Sequence, residues 1–341
     1  MFRSDAQLTG VTGASLPDKL AVLWRFETTE PFESTAAVVE DRVYVGCDDN
    51  YVYCLSLSRG TVEWKFEAKA PIRSSPAVVE RRVFFGDGDG ILHALDAATG
   101  APLWTLKTEG EIIASPTPHE GRVVVGSYDG RVYCLDPKDG KLHWKVATEG
   151  RVHGTASVIA GHVLVAGCDE FLHVLRLADG TETRRVPLGS VSGSAAAARG
   201  PRAFVGTYGN QVRCIDWTDG RTLWTFEDPD RQFPFMASAA IAEKAVLIGG
   251  RDKRFRALDA ETGRVLWSFT AKGRIDSSAV LSGGRAFVGA SDGKLYAFEV
   301  VTGEVRWQFD AGSPITASPA IAEGRLVIGT QDGVLYCFGA K

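Results

Sequence analysis

Leu95-Asp96-Ala97-Ala98-Thr99-Gly100-Ala101-Pro102-Leu103-Trp104 recurs along the chain and sets its architecture. Leu135-Asp136-Pro137-Lys138-Asp139-Gly140 leads to Trp144, Ile215-Asp216-Trp217-Thr218-Asp219-Gly220 to Trp224, and Leu258-Asp259-Ala260-Glu261-Thr262-Gly263 to Trp267. Looser copies end at Trp64 and Trp307, each four residues after a glycine, Gly60 and Gly303. With Trp24, seven of the eight tryptophans share one phase; Trp217 is out of phase, and Arg184 stands where another tryptophan would fall. A period of about forty residues marks a repeat architecture.

The turn has a mechanical reading. The aspartate can accept hydrogen bonds from backbone N–H groups two or three residues on, and the glycine takes a positive φ that other residues resist. The tryptophan brings a large apolar face and one donor that needs an acceptor. These residues, Trp24, Trp64, Trp104, Trp144, Trp224, Trp267 and Trp307, are therefore expected to dock on the same turn of a neighbouring unit and to be structural.

Each unit reads as four short strands. Around residue 80 they are Ser75–Val79, Arg82–Gly86, Ile91–Leu95 and Leu103–Leu106, with Asp89-Gly90 as a tight hairpin turn whose residues favour positive φ. Short strands with turn signals at this spacing indicate an all-β fold, and the period narrows it to propeller blades. The second strand recurs at Arg42, Arg82, Arg122, His162, Arg202, Ala245, Arg285 and Arg325, which makes eight units. The last unit stops after its third strand, near Phe338, while Val22–Thr28 around Trp24 reads as a fourth strand with no partners before it. The sequence thus predicts an eight-bladed β-propeller over residues 21–341, closed by the N-terminal strand joining the C-terminal blade. Closure removes exposed strand edges and ties the ends of a ring of blades together. Residues 1–20 have no repeat phase and are expected to be a flexible lead-in.

Net charge is −4, pI is about 5.9, and both signs are interspersed, so no basic stripe points to nucleic acid or an anionic membrane. No apolar run is long enough to insert in a membrane, and the first twenty residues lack the pattern of an export signal. The expectation is a monomeric cytoplasmic protein, or a periplasmic one if a signal has been removed. Cys54, Cys134, Cys214 and Cys337 occupy one strand position that elsewhere holds alanine or valine, so cysteine acts there as a small apolar residue. Cys47 and Cys168 form no metal-binding pair with them.

The Leu-Asp-x-x-Thr-Gly-x-x-x-Trp repeat around eight units resembles the docking motif of the pyrroloquinoline-quinone-like propeller family, over about residues 21–339. That family includes quinoprotein alcohol dehydrogenases, the propeller lipoprotein of the outer-membrane barrel-assembly machinery, and non-catalytic sensor or scaffold propellers. The resemblance implies the fold and leaves function to the site. Its dehydrogenases hold a quinone and calcium beside adjacent cysteines, under long insertions, and often carry haem. This chain has no adjacent cysteines, no Cys-x-x-Cys-His and no capping insertion. No cofactor is expected; pyrroloquinoline quinone with calcium belongs only to the alternative of a quinoprotein-like oxidoreductase. The six histidines are scattered, and no nucleophile elbow, P-loop or His-Glu-x-x-His occurs. Gly86-Asp87-Gly88-Asp89-Gly90 lies at a hairpin without the helix that phosphate cradling needs.

In a propeller the loops before the inner strands and the hairpins between second and third strands share the face around the channel. The first set carries Glu33, Arg73, Ile113, His153, Gly193, Met236, Asp276 and Thr316; the second carries Asp48, Gly88, Tyr128, Cys168, Tyr208, Arg251, Ser291 and Gln331. The loop Glu227–Met236 has three extra residues and two phenylalanines, Phe233 and Phe235, beside Arg231. Mixed charge and tyrosine suit recognition. The expected function is a non-catalytic scaffold binding a protein or peptide partner, or a small ligand, over this face. The candidate contacts are Glu33, Arg73, Tyr128, His153, Tyr208, Arg231, Phe233, Phe235, Arg251 and Asp276. An outer-membrane barrel-assembly accessory is the other alternative.

Overall fold

Residues 2–341 are described by a computed structural model. Their strands form eight four-stranded antiparallel sheets arranged as the blades of a propeller. Blades are numbered from the one whose inner strand is Ala37–Val39; blade 8 joins Ala320–Ala322, Arg325–Gly329 and Val334–Gly339 to Ala21–Glu27. The closure read from the sequence is present: Val22 pairs with Phe338, Arg25 with Tyr336 and Phe26 with Leu335.

The repeated turn behaves as its chemistry requires. Asp96 Oδ1 accepts from the N–H groups of Ala98 and Thr99, at 3.0 and 2.9 Å. Gly100 has φ 72°, and a Cβ there would lie 2.6 Å from the ring of Trp64. Trp64 therefore lies against the turn of the following blade, and its Nε1 donates to Ala97 O at 3.1 Å. The same bond joins Trp24 to Leu57, Trp104 to Pro137, Trp144 to Leu177, Trp224 to Ala260 and Trp267 to Val300. Six junctions are thus held by one device that combines apolar burial with a satisfied donor.

Two junctions differ. Between blades 4 and 5, Arg184 donates to Thr218 O in place of the missing tryptophan. Trp217, the residue out of phase, is buried there from the other side and donates to Gly200 O at 2.8 Å. The junction has exchanged which blade supplies the large ring. Between blades 7 and 8 no glycine turn is available, because the chain ends meet there. Leu16 and Leu20 fill the gap in a cluster with Trp307, Phe309 and Phe338.

Those leucines belong to the segment expected to be a flexible lead-in, and the structure differs from that expectation. Leu8 is 1% exposed, and Ala6, Leu16 and Leu20 are buried. Backbone carbonyls of Ala6, Gln7, Thr9 and Gly10 accept from Val158, Ala198, Ile241 and Leu281, the inner strands of blades 4 to 7. The segment satisfies amides that the innermost strands direct into the channel, which a sequence lacking repeat phase can still do. Arg3 is 2% exposed; its guanidinium donates to the carbonyls of Leu8, Ser238 and Ala239. Burial draws its pKa down to about 10. The arginines of the opposite rim are mostly paired: Arg42 with Glu63, Arg82 with Glu80, Arg202 with Glu261, while Arg285 donates to the carbonyls of Leu16 and Pro17.

Candidate functional site

The inner strands begin with a hydroxyl ring. The N–H of Thr35 donates to Ser75 Oγ, Ser75 to Ser115, and Ser115 to Thr155, at 3.0 to 3.1 Å. Ala195 then interrupts the ring, which resumes from Ala195 through Ser238, Ser278 and Ser318 back to Thr35. The Ser/Thr repeat was visible in the sequence; the blade-to-blade bonding was not, because its partners are about forty residues apart.

Two residues above this ring, the positions read as the channel mouth converge on one depression. Glu33, Arg73, Ile113, His153, Gly193, Met236, Asp276 and Thr316 all line it, and Phe2 lies among them. Sequence reasoning missed Phe2, since nothing in residues 1–20 marks a return to the channel. The loops are pinned on both sides: Tyr208 N donates to Val191 O at 2.9 Å, and Phe235 N to Thr207 O at 3.0 Å. Such loops hold the mouth side chains on a rigid frame.

Hairpin residues clamp the mouth residue of the next blade. Arg73 meets Asp48 at 3.0 Å and Glu33 at 3.4 Å. Arg251 meets Asp276 at 2.9 Å, and Arg274 shares that carboxylate. Tyr128 Oη is hydrogen-bonded to His153 Nδ1. Burial lowers the pKa of His153 and raises that of Tyr128 to about 12, so both are neutral at pH 7. Tyr208 is 42% exposed beside them.

The Glu227–Met236 loop divides. Phe233 is 47% exposed, with its N–H on Asn210 Oδ1 at 3.1 Å. Arg231 reaches Asp252 O at 3.4 Å. Phe235 is not at the surface: it is 1% exposed and packs beneath Phe226 and the Arg256 guanidinium. It fills the interblade position held by Phe32, Ile72, Ile112, Val152, Ile275 and Ile315, each immediately before a mouth residue. That alignment was legible; the expectation that Phe235 anchors a partner is corrected. The extra residues are accommodated upstream of it.

Among the described residues no three His, Cys, Asp or Glu side chains come together as a metal site. A calcium-bound quinone needs several converging oxygen ligands. Here the mouth carboxylates face arginines, and Phe2 lies in the depression. These residues do not fit that group.

The ring of eight four-stranded blades and its repeated docking turn define an eight-bladed propeller of the pyrroloquinoline-quinone-like class. Within it, the chain belongs to the family described as outer membrane protein assembly factor BamB, which matches residues 17–118, 88–183, 169–272 and 251–341. No curated protein sequence matches significantly. Among solved structures, BamB from Moraxella catarrhalis is 21% identical with a TM-score of 0.77, over 95% of this chain and 98% of that one. The computationally designed Ika8 protein is 18% identical with a TM-score of 0.81, over 92% and 98%. A europium-containing methanol dehydrogenase is 15% identical with a TM-score of 0.85, over 100% and 97%. At these identities the likeness is one of fold.

Proposed function

We propose that this protein is a non-catalytic scaffold that binds a protein or peptide partner over the channel mouth. One observation carries the reading: docking residues repeat from blade to blade, while the mouth positions differ at every blade and converge on one depression. A surface that varies on a rigid repeating frame suits recognition. The lack of fit to a quinone and calcium favours binding over redox chemistry. The family match favours, as the particular setting, assembly of outer-membrane proteins, and with it a periplasmic location.

Site-specific photocrosslinking in the source cell tests this. A benzophenone amino acid at Arg73 or Tyr208 should yield a discrete adduct, and one at Glu120 on the opposite rim should not. Adducts confined to the Glu120 position would overturn the proposal. Identification of the adduct by mass spectrometry decides the assembly setting: a partner outside any membrane-protein assembly complex would remove it.

A further inference from the structure

On the rim opposite the mouth, radial grooves run between the blades, and this chain crosses several of them itself. Arg42 pairs with Glu63 on the outer strand of its own blade, and Arg202 crosses from blade 5 to Glu261 on the docking turn of blade 6. A length of chain covers the groove between blades 7 and 8. There Ala14 O accepts from Ser282 Oγ at 2.6 Å, and the carbonyls of Leu16 and Pro17 accept from Arg285 at 2.7 and 3.1 Å. Leu16 and Leu20 are buried in that groove against Phe287, Leu326 and Phe338.

The groove between blades 6 and 7 has neither cover. Ala245 stands at the rim position of blade 6, where blades 1, 5 and 7 carry Arg42, Arg202 and Arg285. The positions that receive such an arginine elsewhere are apolar here as well. Leu266 stands where blade 1 has Glu63, one residue before the docking tryptophan, and Val301 where blade 6 has Glu261. Ala245, Leu266 and Val301 line one open cleft of about 790 Å³, which also includes the buried Ile241 and Leu281. That is the size of clefts that hold ligands.

The kind of occupant follows from exposure and charge. Val301 is 80% exposed and Leu266 52%. A small molecule within the cleft would leave much of both in water, whereas a protein segment entering it covers them too, and contiguous exposed apolar surface marks such contacts. The charged groups beside the cleft are already engaged. Asp259 accepts from the amides of Glu261 and Thr262, Glu299 pairs with Arg306 at 3.4 Å, and Arg199 donates to the carbonyls of Ile241 and Ala242. A charged side chain entering here would lose water without gaining a free counter-charge. Lys244, exposed at the hairpin tip, can donate to a main-chain carbonyl of the segment, as Arg285 does in the next groove.

We propose that the groove between blades 6 and 7 is a docking site for a non-helical segment of a partner protein that carries two apolar side chains. The segment lies radially, as residues 14–20 of this chain lie in the neighbouring groove. The site is on the face opposite the mouth and stands apart from the channel-face reading; Glu120, on blade 3, is outside it.

The probe comes from the neighbouring groove: the capped heptapeptide acetyl-Ala-Ser-Leu-Pro-Asp-Lys-Leu-amide, the sequence of residues 14–20. Controls replace both leucines by serine or by glutamate. Methyl-labelled protein reports through Ile241, Leu266 and Val301. The leucine peptide should shift these methyls saturably, at least tenfold more tightly than either control. Ala245→Arg with Val301→Glu rebuilds across this groove the pair that Arg202 and Glu261 make in the one before, and should abolish the shifts at Ile241 and Leu266. Leu266→Glu, on an exposed outer strand, should weaken the peptide at least tenfold while the melting temperature stays with wild type, which separates loss of the site from loss of the fold. No saturable shift, equal binding by the serine or glutamate peptide, or undiminished binding in both variants would overturn the proposal. 1-Hexanol binding as tightly as the leucine peptide would overturn it in favour of a small-molecule site. Concentration-dependent dimerisation that the double variant abolishes would overturn it in favour of a second copy of this chain.

Discussion

Phe235 and Phe233 lie two residues apart in one loop, and the structure predicts opposite fates for their removal. Phe235 is 1% exposed, 6.1 Å from the Phe226 ring and 5.7 Å from the Arg256 guanidinium. Arg256 is itself buried, held by Asp228 and Asp252. Phe235→Ala leaves a cavity against this charged cluster, and core Phe→Ala changes destabilise by about 3–5 kcal/mol. Unfolding entropy of about 2.1 cal/mol/K per residue over 341 residues is about 0.7 kcal/mol/K for a cooperative transition. Phe235→Ala should therefore lower Tm by about 4–7 °C. Phe233 is 47% exposed, so Phe233→Ala should stay within about 0.5 kcal/mol, less than 1 °C. Calorimetric melts of both variants beside wild type decide the matter. A Phe235→Ala protein melting with wild type would refute the interblade assignment, and an equal fall in Phe233→Ala would show that the whole loop is packed.

Leu8→Ala should lower stability by about 2–5 kcal/mol in chemical denaturation, because the side chain is 1% exposed within the ring; no change would mean that residues 2–20 contribute nothing to it. Gly140→Ala should destabilise both by its positive φ of 73° and by a Cβ 2.7 Å from the Trp104 ring, while Trp104→Ala loses the bond to Pro137 O as well as the packing. If Gly140→Ala melts normally, the docking turn is not under steric constraint. His173 lies between Asp169 and Glu182, at 2.7 and 2.6 Å. Burial opposes its charge, but the hydrogen bonds that its ring nitrogens donate to the two carboxylates together raise its pKa above 6.5. A raised folded pKa contributes stability that is fully present below pH 6.5 and is lost as pH climbs through the folded value. Stability of wild type should therefore decline across that climb more steeply than that of His173→Gln, measured by urea titration at a series of pH values; parallel profiles would remove the histidine from the account.

The ring was legible in the order of residues: its all-β class, eight blades, docking tryptophans and closure through Trp24. Those features rest on local chemistry that repeats, a turn aspartate, a glycine with positive φ, and a tryptophan needing one acceptor, so each copy confirms the others. The order of residues also placed Glu33, Arg73, His153, Gly193, Met236 and Asp276 on one face, because equal phase in a closed ring means equal height on the channel. What breaks the repeat emerges from the folded ring alone. Trp217 answers Arg184 across a junction, Leu16 and Leu20 stand in for a turn that the meeting chain ends remove, and Phe2 and Arg3 return to the channel. Each of these depends on contacts between residues far apart in the chain with no period to link them. The pairing of Arg73 with Asp48 and of Arg251 with Asp276 at the mouth is of the same kind, since it arises from neighbours on adjacent blades.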